Sequence, residues 1–187
     1  MVVELEEIIK LENSNPKYYS LFMSKINNFE SQNDDVTRFL KEDAISYCNS
    51  NRAKTFLLLG DDTGDLLGYF TLAVKSVEYR DKITNSLRNR IAGHSTSEKI
   101  AAFYLIGQLG RDKNLSKKGF GKNLLDTALL YLIEAQSIIG LRYCLVETEP
   151  TESNNRVVDF YEDNGFIFLQ IDKKDKYKQM IAMVKHE

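Results

Sequence analysis

The alternation of apolar and polar positions divides the chain into short strands and amphipathic helices. Apolar runs of strand length cover Thr55–Leu59, Leu66–Val77, Ala101–Leu109, Leu141–Val146, Phe166–Ile171 and Lys178–Val184. Apolar residues at helical spacing predict helices over about 16–25, 34–49, 124–139 and 154–163. Strands and helices are therefore interspersed along the chain, which is typical of an α/β protein.

The centre of the chain predicts a strand, a loop, a helix and a second strand. The strand Ala101–Leu109 precedes the loop, and Gly140 is expected to stop the helix before Leu141–Val146 begins. The loop contains Gly119 and Gly121 immediately before the helix. Helix N-termini carry unpaired N–H groups and a partial positive charge, and glycines let a ligand approach the backbone. The loop is therefore expected to bind an anion.

Two common nucleotide-binding loops do not match this loop. A P-loop needs Gly-Lys followed by Ser or Thr, and the dinucleotide fingerprint needs a third glycine where this chain has Leu124. The sequence Ser116-Lys117-Lys118-Gly119-Phe120-Gly121 instead resembles motif A of the GNAT superfamily of N-acetyltransferases. Ser116 stands where the family usually has Gln or Arg, but both glycines match.

This resemblance implies a GNAT fold and an acetyl-CoA cosubstrate. The fold is a mixed, mostly antiparallel sheet of six to seven strands flanked by helices, with a central β-loop-α-β unit that binds acetyl-CoA. One domain is expected to span residues 1–187. The resemblance implies that the following residues contact the pyrophosphate: Lys117, Lys118, Gly119, Phe120, Gly121 and Lys122. It also implies that Leu109 and Arg111 offer main-chain groups to the pantetheine arm.

A second motif lies about forty residues downstream. The segment from Asn154 to Phe166, with Val157, Phe160-Tyr161 and Gly165, resembles the Asn-x-x-Ala-x-x-Phe/Leu-Tyr-x-x-x-Gly-Phe motif of GNAT enzymes. It implies that Asn154 helps to bind the cosubstrate.

Tyr161 is predicted to be the general acid that assists departure of the CoA thiolate. A phenol with an ordinary pKa near 10 stays protonated at neutral pH. The attacking amine must lose a proton, and Glu147 or Glu149, after the second central strand, could remove it. Proton removal through water is equally open, and so is a purely structural role for the Tyr161 ring.

The N-terminal half resembles one branch of the superfamily. Phe29-Glu30-Ser31, followed by Val36 and Phe39-Leu40, is similar to the signature of the toxin-like enzymes that acetylate the amino group of aminoacyl-tRNA. The first interpretation is an N-acetyltransferase that acts on a primary amine of a small molecule or a protein. The alternatives are a toxin that acts on aminoacyl-tRNA and is held by an antitoxin, and a binding module that holds CoA without turnover.

Composition limits these alternatives. The net charge of −2 is small for a protein that neutralises tRNA phosphates, although Arg80, Lys82, Arg88 and Arg90 could form a local basic stripe. Two histidines and two cysteines indicate no metal site and no disulfide. No apolar run is long enough for a membrane span, so a cytoplasmic protein is expected, and a homodimer is left open.

Overall fold

The computed structural model describes residues 1–115, 118–149 and 155–185. The strands are β1 (Val2–Glu4), β2 (Lys54–Leu59), β3 (Leu66–Glu78), β4 (Ile100–Arg111), β5 (Tyr143–Thr148), β6 (Ile167–Ile171) and β7 (Lys178–Met183). The helices are α1 (Leu5–Ser14), α2 (Pro16–Asn28), α3 (Asp34–Arg38), α4 (Ala44–Asn49), α5 (Asn85–Ala92), α6 (Phe120–Gln136) and α7 (Asn155–Asp163). A π-helical turn, Phe39–Asp43, joins α3 to α4.

Within the described residues, seven strands form a sheet in the order β1-β2-β3-β4-β5-β7-β6. The pairs β1–β2, β2–β3, β5–β7 and β6–β7 are antiparallel. Strands β4 and β5 are parallel, with Tyr104 opposite Cys144 and Leu105 opposite Leu145. A parallel pair needs a crossover, which α6 provides. The predicted mixed sheet with a central β-loop-α-β unit is therefore confirmed.

The residue contacts group the chain into two compact units. The first contains Met1–Ala73 and Gly107–Ala128, and the second contains Val74–Ile106 and the chain from Leu129 onward. A single domain over residues 1–187 stays a prediction.

The first unit is built around a buried cluster in which Tyr69 is central. The Tyr69 hydroxyl donates a hydrogen bond of 2.5 Å to the carbonyl oxygen of Val36, and its ring meets the edge of Phe29 at 5.5 Å. The buried members of this cluster are Leu5, Ile8, Ile26, Phe29, Leu40, Ala44, Cys48, Leu57, Leu59, Leu66 and Tyr69. Tyr69 thus ties the start of α3 to the middle of β3.

Side-chain caps set the starts of α2 and α3 in the first unit. Asn15 accepts a hydrogen bond from the N–H of Tyr18, and Pro16 occupies the first turn of α2. Asn33 accepts from the N–H of Asp35 at 2.9 Å and so begins α3. Both starts agree with the predicted ones. The predicted helix 34–49 is confirmed, with the π-helical turn in its middle.

The second unit has its own apolar core. Its buried members are Val77, Tyr79, Ile83, Ile91, Phe103, Tyr143, Leu145, Leu169 and Ile181. The side chain of Thr84 accepts a hydrogen bond from Leu87 N–H and begins α5, and Gly93 ends it in the left-handed conformation. Cys48 and Cys144 are buried free thiols, in agreement with the prediction of no disulfide.

Several boundaries differ from those predicted. Strand β1 and helix α1 were not predicted. Helix α6 ends at Gln136, whereas Gly140 was expected to stop it. The N–H groups of Ser137 and Ile138 bond to carbonyls three residues back, so the last turn tightens, and the Gln136 side chain donates to Leu141 O at 2.7 Å. Strand β5 therefore begins at Tyr143 rather than Leu141.

None of the helices in the described part of the chain combines the length and apolar character that a membrane span needs.

We expect Gly110→Ala to lower the free energy of unfolding by about 1–3 kcal/mol because the site is overpacked by the added methyl. A Cβ at Gly110 would lie 2.3 Å from a methyl carbon of Val36. Gly140→Ala is the matched control, since no atom lies within 4 Å of its Cβ position. Urea denaturation measures both, and equal losses would contradict the proposed crowding.

Candidate functional site

The start of α6 presents main-chain N–H groups that an α-helix cannot pair within itself. The carbonyl of Gly119 accepts the first intrahelical hydrogen bond, from Asn123 N–H at 3.1 Å, so Gly119 is the N-cap. The N–H groups of Phe120, Gly121 and Lys122 follow and have no acceptor within the helix. Helix α6 has 17 residues, long enough for a full helix dipole at this end.

Gly119 leaves this end open to a ligand. Its φ is +78°, a left-handed conformation that glycine adopts without strain. No atom lies within 4 Å of the position that a Cβ would occupy, so a phosphate can approach the backbone there. The described part of the loop therefore has room for an anionic group at the helix N-terminus.

Phe120 anchors the helix start on β3. Its side chain is buried, and its ring lies 3.0 Å from where a Cβ of Gly68 would stand. The carbonyl oxygen of Gly110 lies 2.7 Å from the same position. Only glycine at position 68 leaves room for both, so strand β3 sets the place of the first residue of α6.

The lysines near the start of α6 differ in how much positive charge they can offer to a ligand. Lys118 is exposed beside Gly119. Lys122 forms an ion pair with Asp126 one turn along the helix, at 2.8 Å, which partly neutralises it. Ser116, Lys117 and Asn154 lie outside the described residues.

Leu109 and Arg111 have main-chain groups that point away from β3. The N–H of Asp112 donates to Leu67 O on β3 at 2.9 Å. Because the hydrogen-bonding groups of successive strand residues alternate in direction, those of Leu109 and Arg111 face the opposite side. This orientation is the one that their predicted pairing with the pantetheine arm requires. The assignment itself stays a prediction.

Tyr161 lies on α7 in an aromatic environment. It is buried and contacts the rings of Phe160 and Phe166 at centroid distances of 5.2 and 5.1 Å. Burial raises the pKa of the Tyr161 phenol above its ordinary value, and the nearby Cys144 adds to the effect. The phenol therefore keeps its proton at neutral pH, as a general acid must.

Glu147, the predicted base, is engaged through both carboxylate oxygens. One oxygen lies 2.5 Å from the Lys75 ammonium nitrogen, and the other accepts from the Gln179 amide at 2.7 Å. Its side chain is 16% exposed. Glu149 is exposed.

Lys75 and Gln179 were not identified from the sequence. Gln179 also accepts a hydrogen bond of 2.8 Å from Gln170, whose own oxygen accepts from Arg80 N–H at 2.8 Å. A buried polar chain thus runs from Glu147 to the start of the loop after β3. The signal in the sequence is a pair of glutamines inside the otherwise apolar strands β6 and β7, where each must find a partner.

The basic residues after β3 do not form one stripe. Arg80 contacts Asp172 and Asp175 on the β6–β7 turn, and Arg88 lies over the ring of Tyr79 at 5.6 Å. Arg88 and Arg90 are two positions apart on α5 and so point to different sides. Arg80 and Arg88 therefore make contacts within the protein that partly occupy their positive charge. His94 is exposed, as expected for a loop residue.

Phe29-Glu30-Ser31 packs next to the loop after β4. Lys113 N–H donates to Glu30 O at 2.7 Å, and the two side chains form an ion pair. The Lys113 ammonium lowers the pKa of the Glu30 carboxyl. The toxin-like signature and the loop that leads to α6 are therefore adjacent in the first unit.

Known proteins resemble the chain over most of its length. The "Probable toxin TacT" of Sinorhizobium fredii (strain NBRC 101917 / NGR234) is 26% identical over 134 residues, which are 70% of this chain and 71% of the relative. No protein-family model matches the chain.

Two solved structures share its fold. AtaT complexed with acetyl-methionyl-tRNAfMet has a TM-score of 0.65 at 19% identity, covering 82% of this chain and 85% of that one. A tyrosine-to-phenylalanine mutant of the AtaT toxin, bound to the C-terminus of the antitoxin AtaR and acetyl-CoA, has a TM-score of 0.62 at 18% identity and covers 85% of each chain. The GNAT fold and the resemblance to its toxin-like branch are confirmed.

We expect Lys75→Met to lower the free energy of unfolding by about 1–2 kcal/mol, because the half-buried Glu147 carboxylate would lose its cation. Lys173→Met is the matched control. It removes an exposed ion pair with Glu78 and should cost less than about 0.5 kcal/mol. Chemical denaturation measures both variants, and a loss for Lys75→Met no larger than the control would show that Glu147 does not depend on Lys75.

Proposed function

We propose that this chain is an acetyl-CoA-dependent N-acetyltransferase of the toxin type that acetylates the amino group of aminoacyl-tRNA. The observation that carries the proposal is the fold shared over more than four-fifths of the chain with AtaT, whose solved complexes contain acetyl-methionyl-tRNAfMet and acetyl-CoA. The TacT relative adds similarity at the level of sequence. The position of Phe29-Glu30-Ser31 beside the loop before α6 supports the same branch.

The cosubstrate is proposed to bind at the start of α6. The N–H groups of Phe120, Gly121 and Lys122, together with the exposed Lys118 and the open space at Gly119, suit a diphosphate. The main-chain groups of Leu109 and Arg111, which face away from β3, suit the amides of the pantetheine arm. When bound, acetyl-CoA supplies an acetyl thioester that an amine can attack.

Tyr161 is proposed to assist the leaving thiolate. Its buried phenol stays protonated and can donate a hydrogen bond to a sulfur that becomes negatively charged. Because a phenol with a raised pKa is a weaker acid than a thiol, the main contribution of Tyr161 is this hydrogen bond, and complete proton transfer contributes less.

The surroundings of Glu147 favour an α-amino acceptor. A lysine amine, with an ordinary pKa of about 10.4, needs a strong base to become neutral, whereas an α-amino group has a pKa of about 7.7–8.0. Both oxygens of Glu147 are already engaged by Lys75 and Gln179. An acceptor amine that is partly deprotonated at neutral pH, without a protein base, suits these surroundings better than a lysine amine. The α-amino group of an aminoacyl ester is such an amine.

The partners that follow are a charged tRNA and an antitoxin, both expected in the cytoplasm. The net charge of −2 provides little long-range attraction to tRNA. We therefore expect recognition to rest on local contacts, with affinity that depends less on salt than in a strongly basic tRNA-binding protein.

We expect Tyr161→Phe to lower the rate of thiol release from acetyl-CoA about 100-fold or more and to leave CoA binding within about two-fold. Tyr18→Phe, which changes a tyrosine that is 55% exposed, is the matched control and should keep full activity. Thiol release is measured with a disulfide reagent in the presence of aminoacyl-tRNA. Unchanged turnover in Tyr161→Phe would assign the residue to the core alone.

We expect label from [¹⁴C]acetyl-CoA to appear on aminoacyl-tRNA and not on deacylated tRNA. Mild alkali, which cleaves the aminoacyl ester, should release the label as an N-acetyl amino acid. Expression should also arrest growth, and Tyr161→Phe should relieve the arrest. Acetylation of lysine peptides or small amines in the absence of aminoacyl-tRNA would favour a general N-acetyltransferase of primary amines. Absence of thiol release with every acceptor would indicate a CoA-binding module.

A further inference from the structure

We propose that Asp112 is a positioning residue that holds the approach to the α6 N-terminus, so that the phosphate-binding amides meet their ligand without rearrangement. The inference rests on the proposed function, because it concerns the loop that binds the CoA diphosphate there. Asp112 is the first residue after β4, and it connects β3, the segment before α3 and the loop itself, all within the first unit.

Four successive N–H groups after β4 already have acceptors. Those of Asp112, Lys113, Asn114 and Leu115 donate to Leu67 O, Glu30 O, Asp112 Oδ1 and Asp112 O, at 2.9, 2.7, 2.8 and 3.2 Å. The Arg111 guanidinium also donates to Leu115 O at 3.2 Å. This turn, Asp112–Leu115, has no free N–H to offer a phosphate. Its role is to support the residues that follow it.

The Asp112 carboxylate makes two different connections. Its Oδ1 closes the turn by accepting from Asn114 N–H, and its Oδ2 accepts from Glu30 N–H at 3.4 Å. Glu30 is joined to the same turn a second time through its carbonyl and through the ion pair with Lys113. The ion pair is exposed and contributes little alone, so the specific links to Glu30 are the Lys113 N–H bond and the Asp112 carboxylate, and only the second depends on a side chain.

The short distance along the chain makes this link matter for binding. Only two residues separate Leu115 from Lys118, and three peptide steps span at most about 11 Å. Phe120 fixes the other end, since its ring is buried against Gly68. We expect release of the turn to leave Lys118 and Gly119 less well ordered before the helix start, so that ordering them on binding weakens the affinity for CoA.

If Asp112 acted only through its charge, its replacement would change the affinity for CoA in the opposite direction. Asp112 is a negative charge close to a site for a ligand of several negative charges, so its removal should tighten binding if charge were its only effect. A carboxylate that positions the loop must instead weaken CoA binding when it is replaced. The direction of the change therefore separates the two roles without any reference to its size.

The test is calorimetry of CoA binding to the full chain. In Asp112→Asn, the remaining amide oxygen can keep the Asn114 bond, but the NH₂ group cannot accept from Glu30 N–H. We expect the Kd for CoA to rise about five-fold in Asp112→Asn and about ten-fold or more in Asp112→Ala. Asp65→Asn is the matched control. Asp65 lines the same surface pocket as Asp112 and loses the same charge, and its Kd should stay within about two-fold or fall.

Two further readouts decide among the outcomes. The KM for acetyl-CoA should rise in Asp112→Asn while kcat at saturation stays within about two-fold. A Kd for Asp112→Asn equal to or below that of the wild type would overturn the proposal, even if thermal unfolding showed lost stability. If Asp112→Ala does not fold, Asp112→Asn alone decides. Failure of the wild type to bind CoA would instead overturn the proposed function.

Discussion

The close approach of β3 and β4 at Gly68 and Gly110 is the constraint on which the rest of the first unit depends. The carbonyl of Gly110 occupies the space where Gly68 would carry a side chain, and the Val36 methyl occupies the space above Gly110. Each glycine is needed because another group takes its side-chain volume. The Phe120 ring lies against Gly68 as well, so one point of contact between two backbones places both α3 and the start of α6.

This arrangement explains why the proposed phosphate site can be built from main-chain groups. Backbone amides bind an anion well only if their directions are fixed before the ligand arrives. The buried Phe120 fixes one end of the loop, and the fully hydrogen-bonded turn at Asp112–Leu115 fixes the other. The lysines are secondary, since Lys122 shares its charge with Asp126. Replacement of the usual Gln or Arg by Ser116 is therefore compatible with the proposed binding.

In the second unit, the partly buried charged side chains Glu147 and Arg80 are paired with other groups of the same unit. Glu147 is held by Lys75 and Gln179, and Arg80 is held by the β6–β7 turn. A carboxylate that is mostly buried is costly unless it is paired, and the two glutamines complete its surroundings. The same pairing engages both oxygens of the carboxylate that the sequence predicts as a base. This is why the proposed acceptor is an amine that needs little help to lose its proton.

The sequence by itself determined the elements whose signals are local. The caps Asn15 and Asn33, the glycines before α6 and the long apolar strands act over a few residues, so their positions were predictable. Strand β1 was missed because three residues carry too little pattern, and α6 was made too long because Gln136, through a side-chain bond to Leu141, ends it before Gly140. Only the tertiary structure decided that Lys75 pairs with Glu147 and that Glu30 and Asp112 meet across 82 residues. Such contacts depend on strand order and on which face each residue takes, and no local pattern encodes either.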